Sequence, residues 1–492
     1  VFFRRLKIFM NYAMIRYLLG WMLGVEGAFL LIPLLTSLLY GESIIVVRAY
    51  LSVMAFCMFF AVLLCRRKPD QTRFYAREGF VTVALCWVVL ALTGAIPFVL
   101  SGEIPLFIDA LFETISGFTT TGATILGDVE ALSHASLLWR SLTHWVGGMG
   151  VLVFMLAIMP LAGGRSIYLM KAESPGPSVS KLSPHLRDTA LILYSIYLGL
   201  TVLETIFLLF GHMSLFDALN TAMATAGTGG FGLWNNSIAH YDSFYLQGVI
   251  SIFMILFGVN FSVYFLLLSK RFRQAISIQE VWVYLGVIGV SALTIACNVR
   301  HLFSSFFESF HHALFQVGSI ITTTGFSTVD FDQWPAFSKS ILVLLMFIGA
   351  CAGSTGGGIK CARIFMMGKS MQKEMQSLIH PRTFRVIQMD GRRVSDDVMQ
   401  SVHAFLIAYL FLFVFSVLAL SISNEDMVTN FTAVAATLNN IGPGLSQAGP
   451  ACNFGFFSPF SKIVLMIDML AGRLELFPML LLFTPNAWRK NR

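Results

Sequence analysis

The stretch Ser116-Gly-Phe-Thr-Thr-Thr-Gly-Ala-Thr124 decides how this chain is read, because altered copies of it return three times. They are Ala226-Gly-Thr-Gly-Gly-Phe-Gly232, Ile320-Ile-Thr-Thr-Thr-Gly-Phe-Ser-Thr328 and Asn439-Asn-Ile-Gly-Pro-Gly444. Aligning the residue before Ala123, Phe231, Phe326 and Pro443 selects Gly122, Gly230, Gly325 and Gly442, which are 108, 95 and 117 residues apart. Each follows a short stretch of helical character, at 108–117, 215–225, 307–319 and 430–438. A period near 100 residues, with a hairpin between two apolar spans, is an internal repeat.

Outward from these segments the chain is apolar. Hydrophobic residues make up 56% and charged residues 12%, with a mean hydropathy of +0.75; soluble domains carry about 25% charged residues. A water-soluble core cannot hide that much apolar surface, and a hydrocarbon core takes about 20 apolar residues to cross. Spans are expected at 17–39, 44–65, 79–101, 135–161, 189–211, 244–269, 279–303, 338–350 with an interrupted continuation, 399–423 and 460–484. The expected architecture is an all-α membrane protein with ten transmembrane helices and four re-entrant pore loops. Four helix, pore-loop, helix repeats surround a pseudo-fourfold pore, and an N-terminal helical pair stands outside it. The units are 1–78 (peripheral pair), 79–188, 189–277, 278–397 and 398–492 (repeats one to four).

Loops and termini 1–16, 65–78, 163–188, 269–277, 363–397 and 489–492 hold 26 of the 33 Lys and Arg residues. Positive residues stay on the cytoplasmic side, so both termini are expected there. The net charge of +7 then needs no nucleic-acid partner. The opening segment lacks a small-residue cleavage site and predicts no removable signal peptide. Seven cysteines without CxxC spacing predict neither a disulfide framework nor a cysteine metal site.

Non-helical backbone at membrane depth is tolerated where it is buried in protein or lines a water-filled cavity. Four such segments can surround one axis, and carbonyl rings with threonine hydroxyls can replace the water shell of a potassium ion. Glycine takes positive φ without a side-chain clash, and each preceding helix turns the negative end of its dipole to a cation. The expected ion-binding residues are Thr119, Thr120, Thr121 and Gly122; Gly227, Thr228, Gly229 and Gly230; Thr322, Thr323, Thr324 and Gly325; and Asn439, Asn440, Ile441 and Gly442. One such string alone reads equally as a turn or a helix-packing site; four at regular spacing on one face favour the pore. Segments one and three, with three threonines each, are expected to bind ions best. Acidic residues near that face (Asp128, Glu130, Asp242, Asp330, Asp332, Glu425, Asp426) either concentrate cations or are solvated loop charges.

The eighth span is interrupted at 349–360 by five glycines in twelve residues, which predicts an unwound loop below segment three. A nucleotide-binding phosphate loop needs Lys directly after the last Gly and then Ser or Thr; here Ile359 intervenes and Cys361 follows. The expected gate comprises Gly353, Ser354, Thr355, Gly356, Gly357, Gly358, Lys360 and Arg473. The alternative is a static kink with Lys360 reaching cytoplasmic water. Arg473 lies mid-span, where a charge is costly and normally functional or paired; it reads as a pore-wall or gate residue, the alternative being an ion pair with Asp468 or Glu475. Asn260, Glu204 and His144 read as packing contacts.

The chain resembles the TrkH subunit of bacterial potassium uptake systems, in the superfamily that includes KtrB and the plant and fungal Trk/HKT transporters. The resemblance runs over nearly the whole length. It is carried by segments one, three and four, by Arg140-Ser-Leu-Thr-His-Trp-Val-Gly-Gly-Met-Gly150, by Gly353-Ser-Thr-Gly-Gly-Gly-Ile-Lys360 and by Ala471-Gly-Arg-Leu-Glu-Leu-Phe-Pro478. It implies a pseudo-fourfold pore in one chain, a mobile loop obstructing the cavity beneath the filter, a homodimer, and a cytoplasmic nucleotide-binding regulator of the TrkA kind. Serine at the first filter glycine is associated in this superfamily with sodium permeation, whereas Gly122 fits potassium. Two positions depart from the pattern and bear on selectivity strength: the glycine-rich second segment, and His144 where glutamine is expected.

The function expected is gated potassium uptake across the bacterial inner membrane, without catalysis. Potassium is the transported ion, no organic cofactor is expected, and membrane lipids are partners. The alternative is a proton- or sodium-coupled symporter, for which Glu204 and Asp468 are candidate titratable sites. A membrane-embedded enzyme would need a nucleophile, base or metal cluster, and no HExxH, GxSxG or carboxylate pair fits the topology.

Overall fold

The computed structural model describes residues 10–69, 76–150, 186–380 and 386–485. Helices dominate. The one β element among the described residues is a two-residue antiparallel ladder, Gln388–Met389 with Arg392–Arg393, turned by Asp390 and Gly391 at positive φ.

Six helices among the described residues are long and apolar enough to cross a membrane: Tyr12–Leu39, Ile44–Cys65, Glu78–Ser101, Asp188–Phe210, Gln279–Leu302 and Asp396–Ser423. Each falls on an expected span. Span 244–269 is broken within its length, because Phe244–Phe257 and Phe261–Leu268 meet at 92°. The break has a cause in the backbone. Asn260 caps the second helix by accepting from the Ser262 N–H (2.9 Å), while the Gly258 carbonyl and the Phe261 N–H bond to Cys351 and Gly353 of the interrupted loop. Span 135–161 is described as far as its helix His134–Met149 and Gly150, and its remainder lies outside the described residues. The eighth span gives the short helix Ala336–Ile348. The last divides into Pro459–Arg473 and Phe477–Leu482, parted by Glu475 and Leu476 at positive φ.

Between these lie four short helices, Phe107–Phe118, Leu215–Ala226, Phe306–Ile321 and Met427–Leu438. Three start on a side-chain cap, from Ser214, Ser305 or Asp426, as expected where N–H groups would otherwise lack acceptors. All four end alike. Thr120, Thr228, Thr323 and Asn440 take left-handed φ of 53 to 61°. The next N–H in each segment (Thr121, Gly229, Thr324, Ile441) reaches back to the carbonyl of Ser116, Ala224, Ser319 or Ala436 at 2.8–2.9 Å. This is the Schellman cap, which usually places glycine at the left-handed position. A β-branched residue there costs about 1–3 kcal/mol, so its use in three of four copies points to side chains needed at those positions.

The N-terminal pair packs through small residues. A side chain at Gly20 would strike Cys65 and Leu64, and one at Gly27 would crowd Met58 and Cys57, the close approach that associates helices in lipid. The pair docks on the helices His134–Met149 and Glu78–Ser101 through Tyr50 to Ser136 (3.0 Å) and Thr93 to Glu26 (2.5 Å). One packing contact occurs twice: Gly147 abuts the carbonyl of Phe118 and Gly472 that of Leu438, each the last residue of a short helix.

Candidate functional site

The four segments meet. Gly122, Gly230, Gly325 and Gly442 all have φ between 77 and 98° and border one cavity. Each presses its Cα on the carbonyl before the glycine of the next segment. A side chain on Gly122 would strike the Gly229 oxygen, on Gly230 that of Thr324, on Gly325 that of Ile441, and on Gly442 that of Thr121. The order one to two, two to three, three to four, four to one is a closed ring. All sixteen expected filter residues fall in these segments, and among the described residues each segment is preceded by a helix whose C-terminal carbonyls face it.

Side-chain oxygens are divided between bracing and the base of the ring. Thr119 donates to the Ile115 carbonyl (2.6 Å) and meets the Thr121 hydroxyl at 2.8 Å; Thr322 and Thr324 repeat this at 2.7 and 2.8 Å. The left-handed residues differ. Thr323 accepts from the Gly357 N–H (2.6 Å), Thr120 accepts from Arg473 (3.4 Å), and the Asn440 amide donates to Thr121 (3.0 Å) and to the Met469 carbonyl (2.9 Å). Asn439 is tied to the Tyr409 hydroxyl (2.8 Å).

Those contacts put the interrupted loop directly against the base of the ring. A side chain on Gly356 would meet the Thr322 carbonyl, and one on Gly357 the Asn439 carbonyl, so glycine is what allows this approach. Gly349, Gly353, Gly358 and Lys360 have φ of 72 to 81°. Gly353 and Ser354 face elsewhere: the Gly353 carbonyl accepts from Phe261, and Ser354 donates to the Cys351 carbonyl (2.6 Å). One carboxylate, that of buried Glu280, accepts from the N–H groups of Ala352 (2.6 Å) and Ala362 (3.1 Å), clasping both ends of the loop. Sequence reasoning passed over Glu280, whose signal was only a carboxylate at the start of a span.

Arg473 lies under the ring. It donates to the carbonyls of Thr355 (2.9 Å), Gly147 (2.5 Å) and Gly148 (2.6 Å), and to Thr120. Of the two carboxylates considered as its partners, Asp468 accepts from Ser416 (2.7 Å), and Glu475 pairs with Arg363 at 2.5 Å. Lys360 is buried and donates to the Gly356 carbonyl within its own loop. The alternative in which it reaches cytoplasmic water does not describe this conformation.

Two residues one turn apart on the helix His134–Met149 hold segments one and two together. Arg140 pairs with Glu113 at 2.8 Å, both buried, and donates to the Gly232 carbonyl (3.2 Å) with its guanidinium 4.1 Å from the Phe231 ring. Glu113 also accepts from Thr124 and Ile125 (3.0 and 3.1 Å). His144 bonds the Gly117 carbonyl (2.7 Å) and the Phe231 N–H (3.2 Å). An arginine at a span's outer end and a glutamate inside a short helix were the available signals for this pair.

None of the seven acidic residues expected near the mouth borders the cavity at the glycines. Asp128 and Glu130 hold Asn235, Asp332 lies 3.6 Å from Lys339, and Asp426 caps a helix.

Comparison with known proteins gives one consistent result. A family model described as TrkH, cation transport protein, matches residues 47–299 and 275–490. The Trk system potassium uptake protein TrkH of Escherichia coli K12 is 37% identical over 492 residues, covering 98% of this chain and 100% of the relative. The TrkG protein of the same organism is 33% identical, over 96% and 98%. The crystal structure of the potassium transporter TrkH from Vibrio parahaemolyticus matches with a TM-score of 0.88 at 32% identity, over 98% of this chain and 100% of that one.

Proposed function

The chain belongs to the TrkH family of cation transport proteins, and from that premise we propose that it takes up potassium through the ring formed by its four glycine segments. The observation that carries the reading is the closure of that ring, segment four returning to segment one. A dehydrated potassium ion needs oxygen ligands on every side. The carbonyls of Thr119–Gly122, Gly227–Gly230, Thr322–Gly325 and Asn439–Gly442 supply them, and the left-handed Thr120, Thr228 and Thr323 add hydroxyls at the base. Four helix C-termini aimed at the ring make the site favourable for a cation and unfavourable for an anion.

Below the ring, residues 349–360 and Arg473 act as the gate. Gly356 and Gly357 fill the exit, and the guanidinium adds a positive charge in a low-dielectric space, where repulsion of a cation is strongest. Opening requires the loop to leave the Thr323 hydroxyl and the Thr355 carbonyl to leave Arg473. Uptake is transport without chemical catalysis, as in the relatives.

The topology that goes with this reading has ten spans and four re-entrant loops in an inner membrane, in the unit boundaries given above, with both termini cytoplasmic. A second copy of the chain and a cytoplasmic nucleotide-binding subunit of the TrkA kind complete the system. The test is expression in a potassium-uptake-deficient bacterium at low external potassium. Growth is expected to be restored; no rescue by membrane-inserted protein, with and without a TrkA-like subunit, would overturn the reading.

A further inference from the structure

Segment two is built differently from its neighbours at the residues beside its glycine. In segments one and three the residue before the glycine, Thr121 or Thr324, is braced by the hydroxyl two positions earlier. In segment two those two positions are Gly229 and Gly227, which carry no side chain. Both instead lie against His144: a side chain on Gly227 would strike the His144 carbonyl, and one on Gly229 would fall on Cγ, Nδ1 and Cδ2 of the imidazole together.

Gly229 is outside the left-handed region, so its backbone would accept any residue. What a side chain there would strike first is the imidazole. The ring in turn holds the other flank of Gly230. Its Nε2 accepts from the Phe231 N–H at 3.2 Å, its Nδ1 faces the Gly117 carbonyl at 2.7 Å, and it lies 4.2 Å from the Phe231 ring. A carbonyl can only accept and an amide N–H can only donate, so these partners together require the neutral Nδ1–H tautomer. Gly230 therefore meets the Thr324 carbonyl at a height set from both sides by one buried side chain.

We propose that His144 and Gly229 are a compensating pair, in which the imidazole takes the place of the missing side chain and sets the position of segment two, and with it the preference for potassium over sodium. His144 is a positioning residue in this arrangement. The imidazole at 144 and the glycine at 229 are then one feature of the packing beside segment two. This rests on the ring being the ion path.

The experiment measures the potassium-to-sodium flux ratio of purified protein in proteoliposomes. His144→Ala is expected to lower the ratio about five-fold or more, the scale of one hydrogen bond lost, and Gly229→Ala to lower it in the same direction. Glutamine can keep both hydrogen bonds while yielding space, so the double variant His144→Gln/Gly229→Ala is expected to recover most of what Gly229→Ala loses. Loss of folding cannot produce such a recovery. Gly325→Ser, remote from His144, serves as the control for the ring itself. If it lowers the ratio while Gly229→Ala keeps the parental value, or while the double variant is no better than Gly229→Ala, the pairing is wrong. If Gly325→Ser leaves the ratio unmoved, the reading of the ring as the ion path fails first, and the proposal with it.

Discussion

At the scale of single residues, charges placed among apolar helices do the deciding. Arg140 and Glu113 are each nearly inaccessible and tie segment one to segment two. Removing one partner of a buried pair leaves the other charge uncompensated, at about 3–5 kcal/mol. Glu113→Leu is therefore expected to lower the thermal unfolding midpoint of detergent-solubilised protein, and the combined Glu113→Leu/Arg140→Met to restore part of it; equal midpoints for single variant and parent would show that the pair is screened. Arg473 is a different case, because its guanidinium bonds the interrupted loop, the base of the ring and the helix His134–Met149. Arg473→Ala is expected to raise potassium flux in the absence of any activating subunit, by roughly ten-fold for 1.4 kcal/mol of lost barrier. Unaltered flux and selectivity would make it a purely structural residue.

At the scale of elements, the decisive feature is a loop whose glycines permit contact with carbonyls overhead. Deleting Gly356 to Gly358 removes the atoms that fill the space below Thr322 and Asn439. Flux through the well-folded deletion variant is expected to exceed that of the parent, measured as rubidium uptake into vesicles; equal or lower flux would mean that the loop is not the barrier. The short helices offer a second measurement, at the exposed start of the fourth. The Thr429 hydroxyl, then the N–H groups of Thr429 and Val428 and the Ser446 hydroxyl, bond to Asp426 and hold its carboxyl below the usual carboxylate range. A depressed value in the folded state means that the ionised cap stabilises the fold at neutral pH. That contribution is complete above the unfolded carboxylate value of about 4 and is lost as the pH falls through the lower folded value. Asp426→Ala is expected to lower the melting temperature at neutral pH, with the gap to the parent closing in acid; a gap constant with pH would contradict this.

At the scale of the whole molecule, the ring is a single object shared by four parts of one chain. Its closing contact joins Gly442 to the Thr121 carbonyl across more than 300 residues of sequence. Gly442→Ala is expected to abolish most potassium flux although the other three segments are intact, because a Cβ at φ 98° is both strained and in collision with segment one; parental flux would show that the fourth segment is not part of the path.

The sequence by itself determined a great deal here, for a physical reason. Lipid forces long apolar runs and confines polar backbone, so hydropathy located the six long helices, and the periodic glycines located the four segments within a few residues. Left-handed φ at Gly122, Gly230, Gly325 and Gly442 was legible because glycine tolerates it. The same φ at Thr120, Thr228 and Thr323 was not, since β-branched residues disfavour it and only the capped helix imposes it. The tertiary structure alone decided the rest. The 92° break at 258–260, the Glu280 clasp and the contact between His144 and Gly229 each depend on a partner 72 or more residues away, and local propensity contains no term for such a partner.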